Sequence, residues 1–234
     1  MSGLGSYGSV PETTFFLLLL TVLMNYNYIV IEGNIGAGKT SLAKKISKQF
    51  NAKLILERFA DNPFLPKFYN DPERYSFPLE LSFLAERYNQ LKKELSDRDL
   101  FKAFTIADYY FVKSLIFASA TLPNDEYSLY RQIYEIIYGT LPKPDLFVYL
   151  HLTPENLLQN IRLRGREYEK NISMEYLQKI QAGYFDYFKQ QPGIRFLVID
   201  TNNIDFINIS GHFKKLIEVI FEKKYRKGIN RVIL

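Results

Sequence analysis

The 234-residue chain has no cysteine and no tryptophan, only three methionines and only two histidines. Without cysteine there are no disulfides, no thiolate zinc sites and no thiol nucleophile. Such a chain suits a reducing compartment, and a cytoplasmic location is expected. Long apolar runs are also missing. Phe15–Met24 is apolar over only ten residues, half of the roughly 20 that a membrane span requires. It has neither a basic region before it nor a small-residue cleavage site, the two marks of a secretory signal. No block of one charge dominates any segment: thirty basic residues face 25 acidic ones, for a net charge of +5. That mild excess favours small anionic ligands, and neither nucleic acid nor membrane is expected as a partner. His151, at a strand end, and His212, on a terminal helix, read as packed or hydrogen-bonded side chains.

Apolar residues make up 47% of the chain, with 19 Phe and 18 Tyr, enough for a substantial core in one domain. Residues 1–24 stand apart. Met1–Glu12 is rich in Gly and Ser and is expected to be disordered. Residues 1–24 are read as an N-terminal extension, with Met24 as the expected physiological start and residues 25–234 as the folded domain. From there the pattern alternates between strand-like and helix-like segments. Strand candidates are Tyr26–Ile31, Lys53–Leu56, Ala103–Ala107, Leu146–Leu150 and Phe196–Ile199. They predict an α/β fold, a three-layer sandwich with a five-stranded parallel sheet and helices on both faces. In such sheets ligands lie beyond the C-terminal strand ends. Glu57, Asp108, His151 and Asp200 stand at or just past such ends. Lys214–Arg231, where basic and apolar residues interleave, reads as an amphipathic helix.

The run Gly33-Asn34-Ile35-Gly36-Ala37-Gly38-Lys39-Thr40 matches the P-loop pattern G-x-x-x-x-G-K-[ST]. An apolar strand candidate precedes it. Leu42, Ala43, Ile46 and Phe50 follow at helical spacing. Glycines let successive backbone N–H groups turn inward around a phosphate, and the helix N-terminus behind them adds partial positive charge. Gly33–Ser41 is therefore the expected ATP-binding segment of a P-loop NTPase fold. Lys39 can reach the outer phosphates, and the Thr40 hydroxyl can hold Mg²⁺.

Phosphoryl transfer needs clamped phosphates, a metal, cations over the migrating group and a base for the acceptor. Asp108, ending the third strand, is the expected metal partner of Thr40. Glu57, ending the second, is the expected base. Arg162, Arg164 and Arg166, spaced around Gly165, are candidates for a phosphate-covering lid, since arginine forks suit phosphate oxygens. The longest helix is expected over Ser76–Ser96, with a core stripe of Phe77, Leu81, Leu84, Tyr88, Leu91 and Leu95. Glu80, Phe83 and Arg87 form a second stripe, which is either a solvated margin or the wall of a pocket. Thr153 and Pro154 open another helix as N-cap and first residue.

Three segments together resemble the deoxynucleoside kinase family: Ile31–Leu42 with its Glu-Gly-Asn-Ile-Gly form of the loop, Phe68–Phe77, and Leu163–Arg166 with Glu169. The likeness runs from about Tyr26 to Asp200. It implies an ATP- and Mg²⁺-dependent kinase of the deoxyribonucleoside 5′-hydroxyl in nucleotide salvage, acting as a homodimer. It also implies roles. Glu57 takes the hydroxyl proton, Tyr69 and Glu169 bind the sugar 3′-hydroxyl, Phe117 stacks on the base and Arg87 lies at the base edge. Lys39, Arg164 and Arg166 serve the phosphates. Tyr130, Ile133, Tyr134 and Ile137 suit either a dimer face or the core. The residues 200–205 are expected near the adenine of ATP.

Two positions depart from the family pattern. Where the family has Asp/Glu-Arg-Ser, this chain has Asp108-Tyr109-Tyr110, so the acid remains and the arginine does not. Arg58 is a poor substitute, because the neighbour of Glu57 in an extended chain faces the other way. Where the family has Gln reading the base edge, this chain has Glu80. A carboxylate offers only acceptors, which suits the N1–H and N2–H₂ of guanine, or adenine if protonated. A purine preference with guanine favoured is expected. Two other readings are a catalytically weak nucleotide-binding partner of a competent homologue, prompted by the missing arginine, and a nucleoside monophosphate kinase. The latter would need Lys67 or Arg74 near Tyr69 to meet a second phosphate.

Overall fold

The computed structural model describes residues 26–58, 62–97 and 99–234. The expectations for residues 1–24 lie outside the described residues. The elements run β1 (Tyr28–Gly33), α1 (Lys39–Phe50), β2 (Lys53–Ile55), α2 (Leu65–Asn70), α3 (Pro72–Ser96), β3 (Thr105–Ala107), α4 (Val112–Thr121) and α5 (Asn124–Tyr138). They continue with β4 (Leu146–His151), α6 (Pro154–Arg164), a 3₁₀ turn (Glu167–Glu169), α7 (Met174–Gln190), β5 (Arg195–Asp200), α8 (Ser210–Phe221) and β6 (Gly228–Ile233).

All paired strands are parallel, in the order β2-β3-β1-β4-β5-β6. The sheet thus has six strands, not the five expected. The sixth was hidden in Lys214–Arg231, read as one amphipathic helix. The helix α8 ends at Phe221. Gly228 then turns the chain at φ +88, and the side-chain period changes from helical to alternating. Along β6 half-exposed and exposed residues alternate, as on an edge strand with one face on the core.

β1 is buried throughout because it lies between β3 and β4. Its alternate side chains feed two cores. Ile29 and Ile31 join Leu42 and Ile46 of α1 and Leu216 and Ile220 of α8. Tyr28 and Val30 join Leu84 and Leu91 of α3, Val112 of α4, Tyr134 of α5 and Tyr184 of α7. This is the expected three-layer arrangement. From β1 the chain builds β2 and β3 on one side and then crosses to β4 on the other, and the crevice past the C-terminal end of β1 is the default ligand site of such a sheet.

Helix α3 starts at Pro72, four residues before the expected Ser76, with the Asp71 side chain accepting the Arg74 N–H as N-cap. Its buried face is also rotated from expectation. Leu84 and Leu91 are buried, but Leu81 is 37% exposed, whereas Glu80, Phe83 and Arg87 are buried. The second stripe is therefore a pocket wall and not a solvated margin. Tyr130 and Tyr134 are likewise core residues, which removes them from any dimer face. Thr153 caps α6 by accepting the Asn156 N–H, as expected.

A buried carboxylate ties the two cores' loops together. Glu32, fully buried on β1, accepts the Tyr110 backbone N–H at 2.8 Å and the Tyr184 hydroxyl at 2.7 Å. Burial pushes its carboxyl up from the ordinary range, against the pull of Lys113 and Lys39. Tyr184→Phe leaves that carboxylate one strong donor short, and should destabilise the fold by about 1–3 kcal/mol in urea denaturation. An unchanged midpoint would contradict this anchoring role.

Candidate active site

The glycine loop between β1 and α1 has the local geometry its sequence demands. Gly36 and Gly38 both have φ +84. A Cβ on Gly38 would sit 2.8 Å from the Phe206 ring, and one on Gly36 2.9 Å from the Leu157 carbonyl. Side chains therefore fail there on both conformation and space. Asn34 braces the loop from behind, donating to the Leu177 carbonyl at 2.7 Å and accepting the Ile35 N–H at 2.8 Å. Lys39 Nζ donates back to the Asn34 carbonyl at 2.9 Å.

Gly36–Ser41 form one wall of a cleft of about 970 Å³. Its far side is made by Thr201, Asn202 and the residues 204–208, where the adenine-side loop was expected. Gly33 and Asn34 support the loop without lining a cavity, and Ile35 lines a second cavity. This second cavity, of about 120 Å³, is walled by Tyr69, Leu79, Glu80, Phe83, Arg87, Lys113, Phe117, Glu169 and Tyr176 among others. The two meet: Lys39, Thr40, Glu57, Asp108, Arg164 and Arg166 line both. The residues assigned to phosphates and those assigned to a sugar and base thus occupy adjoining spaces with one shared boundary.

Glu57 dominates that boundary. Arg87 of α3 donates to its Oε1 through Nε at 2.9 Å and a terminal guanidinium nitrogen at 2.8 Å. Lys113 of α4 reaches its Oε2 at 2.5 Å. Burial alone would push the Glu57 carboxyl up, but Lys113 first and Arg87 next outweigh it and hold it down at about 2. The group is a carboxylate throughout the neutral range. Lys39 moves the other way: burial and the Lys113 charge lower it to about 8, with Glu32, Glu57 and Asp108 opposing.

Asp108 joins the strand ends. Its Oδ1 accepts the Glu57 backbone N–H at 2.7 Å, and its Oδ2 accepts the Thr40 hydroxyl at 2.5 Å. Among the described residues no cluster of three or more His, Cys, Asp or Glu could hold a metal alone. The Thr40–Asp108 oxygens beside the glycine loop fit a hard cation that takes its remaining ligands from phosphates and water.

At the other end of the second cavity Glu80 is 2% exposed. Its Oε1 accepts the Thr121 hydroxyl at 3.2 Å, while Oε2 is buried without a hydrogen-bond partner. Burial pushes its carboxyl up to about 7, against the nearby Arg87. Phe117 is half-buried and meets Tyr176 edge-on at 6.5 Å between ring centres. Tyr69 stacks on Tyr168 at 5.9 Å. Glu169 is gripped by Arg164 at 2.5 and 3.0 Å and by Arg166 at 3.2 Å. Gly165, at φ +70, ends α6 between these two arginines. Arg162 is exposed and lines neither cavity, unlike Arg164 and Arg166.

Lys113 and Glu32 are the polar residues that sequence reasoning passed over. Lys113 carried a signal: it is the one charge in the otherwise apolar or small run of α4, VKSLIFASAT. Glu32 was read only as part of the loop's spelling.

The deoxynucleoside kinase family model matches residues 29–224. The chain belongs to the deoxynucleoside kinase family. It is 39% identical over 202 residues to a deoxyguanosine kinase of Bacillus subtilis, covering 81% of this chain and 97% of the relative. It is 33% identical over 188 residues to a deoxyadenosine kinase of Dictyostelium discoideum, covering 77% and 74%. The solved structure of a deoxyadenosine kinase from M. mycoides with dCMP and dCDP superposes with a TM-score of 0.71 at 25% identity, covering 83% of this chain and 97% of that one. The relatives of this deoxynucleoside kinase are named as kinases, which disfavours the reading as a weak partner subunit. The monophosphate reading loses its cations: Lys67 lies over the Phe64 and Tyr75 rings and Arg74 over Tyr75, both exposed and outside the second cavity.

The Glu57 ion pairs give a pH signature. Its folded value near 2 is below the ordinary 4.5, so the stabilisation is complete above pH 4.5 and is lost as pH falls toward 2. Glu57→Gln strands two buried cations and should cost about 3 kcal/mol at pH 7. That difference from the parent should shrink steadily between pH 5 and 2 in denaturant titrations. A pH-independent difference would contradict the ion-pair account.

Proposed function

We propose that this enzyme transfers the γ-phosphoryl group of ATP to the 5′-hydroxyl of a purine deoxyribonucleoside, deoxyguanosine above the others, in nucleotide salvage. One observation carries the reading: the Glu57 carboxylate lies on the boundary shared by the glycine-loop cleft and the second cavity. A hydroxyl bound in the second cavity meets a base and a phosphate cradle at once.

ATP occupies the larger cleft, with its outer phosphates at Lys39 and the main chain of Gly36–Thr40. Thr40 and Asp108 would hold Mg²⁺, which would offset charge on the phosphates. The sugar 3′-hydroxyl is bound by Tyr69 and Glu169, and the base stacks on Phe117. Arg87, bonded to Glu57 and Ser114, serves to hold the Glu57 carboxylate in place more than to read the nucleobase edge. The 5′ oxygen bonds to the γ-phosphorus as the link from that phosphorus to the β–γ bridging oxygen breaks, and the electron pair leaves with ADP. The hydroxyl proton passes to Glu57 and then to water. A weak base is adequate where the transition state is loose and the nucleophile's proton leaves late. Arg164 and Arg166, now on Glu169, stand next to the phosphate cleft.

The free Glu80 oxygen supports the guanine preference, because it is an acceptor buried in the second cavity. The names of the B. subtilis and D. discoideum relatives support a purine. A homodimer and a cytoplasmic location belong to the same proposal. Leu129 and Ile136, 51% and 79% exposed on α5, suit a helical interface. No helix among the described residues is long and apolar enough to cross a membrane.

Steady-state kinetics with ATP and Mg²⁺ on the four deoxynucleosides test this reading. The kcat/KM for deoxyguanosine should exceed that of either pyrimidine by about tenfold or more; a pyrimidine preference overturns it. With Glu80 titrating at about 7, kcat/KM for deoxyguanosine should rise with pH through that value while that for deoxyadenosine falls. Glu80→Gln should cost deoxyguanosine about 10- to 100-fold and abolish this divergence.

A further inference from the structure

We propose that Lys113 is a positioning residue for phosphoryl transfer, holding the second oxygen of Glu57 so that the carboxylate faces the acceptor hydroxyl. The inference rests on the kinase reading above.

Lys113 stands where a lysine is disfavoured twice. It is 7% exposed, and burying an ammonium is costly unless it is paired. It also lies in the first turn of α4, where the helix dipole repels cations. The contact that offsets both is Glu57 Oε2, at 2.5 Å. The Lys113 ammonium also lies over the Phe117 ring, with Nζ 5.3 Å from its centre. The ammonium is thus fixed between the proposed base and the ring proposed to stack on the nucleobase.

The other residues around the end of the third strand are engaged elsewhere. Tyr109 and Tyr110, which follow Asp108, are fully buried. The Tyr109 hydroxyl donates to Gln90 Oε1 at 2.9 Å, and the Tyr110 hydroxyl donates to the Pro142 carbonyl at 3.3 Å. Arg58 is exposed and lines only the larger cleft. Arg87 occupies Oε1. With Oε1 held from α3 alone, the carboxylate could turn about its last bond. A second cation on Oε2, from another helix, fixes its plane. Lys113 therefore provides, one helical turn beyond Asp108-Tyr109-Tyr110, a cation that the motif itself lacks. During transfer the proton still moves from the 5′-hydroxyl to Glu57, and Lys113 keeps its own protons.

Lys113→Met and Lys113→Arg test this, each compared with the parent enzyme on deoxyguanosine with ATP and Mg²⁺. A parent without activity would refute the kinase reading itself; an active parent isolates the inference. For the methionine variant kcat should fall about 100-fold or more, with KM for the nucleoside and ATP affinity by calorimetry within about threefold of the parent, the scatter expected where binding contacts are kept. Lys113→Arg should recover kcat to within about tenfold of the parent, since it restores a donor to Oε2. The separation of kcat from KM and ATP affinity, and the recovery by arginine, are the readouts that a purely structural lysine would not move. A methionine variant whose kcat stays within threefold of the parent overturns the proposal. So does a loss of activity matched by equal losses of ATP binding and thermal stability, or an arginine variant no more active than the methionine one.

Discussion

A carboxylate kept ionised out of water, with a guanidinium on one oxygen and an ammonium on the other, is the constraint around which the site is built. Glu57 follows a three-residue strand, too short to fix a side chain by itself. Its position comes from α3 through Arg87, from α4 through Lys113 and from β3 through the Asp108 bond to its backbone N–H. Each of the three partners is buried. Removing any one leaves the others with uncompensated charge, so the arrangement is specified more tightly than its net stabilisation suggests.

The same logic governs the strand that carries the glycine loop. Glu32 is buried one residue before Gly33, and its oxygens satisfy Tyr110 and Tyr184. That arrangement couples the turn after β3 to helix α7 through the root of the phosphate loop. Lys39, Lys113 and Glu32 then form one electrostatic neighbourhood across β1, the loop and α4. A cation held beside the glycine loop before any ligand arrives is the kind of preorganised charge that phosphoryl transfer asks of a protein.

The parts most legible in the sequence were those whose chemistry is local. The glycine loop, the acids at strand ends and the N-cap of α6 each depend on a few consecutive residues, and the structure finds them in place. Glu80 and Arg87 were visible as a stripe, but whether that stripe faced water or a cavity depended on how α3 was rotated, which Leu81 misled by looking like core. β6 was lost because basic residues between apolar ones read alike at helical and strand periods until the break at Gly228 is known. Lys113 was lost for a further reason. Its meaning comes from Glu57, 56 residues earlier in the chain, and no spacing within α4 announces the partner.

The most direct measurement of the account is a crystal structure of the enzyme with Mg²⁺, a non-hydrolysable ATP analogue and deoxyguanosine. The account predicts the β- and γ-phosphates in the Gly36–Thr40 loop, the 5′ oxygen within hydrogen-bond distance of Glu57 and the guanine edge against Glu80 Oε2. A nucleoside whose 5′ oxygen lies away from Glu57, or whose base lies outside the Glu80 and Phe117 cavity, would contradict it.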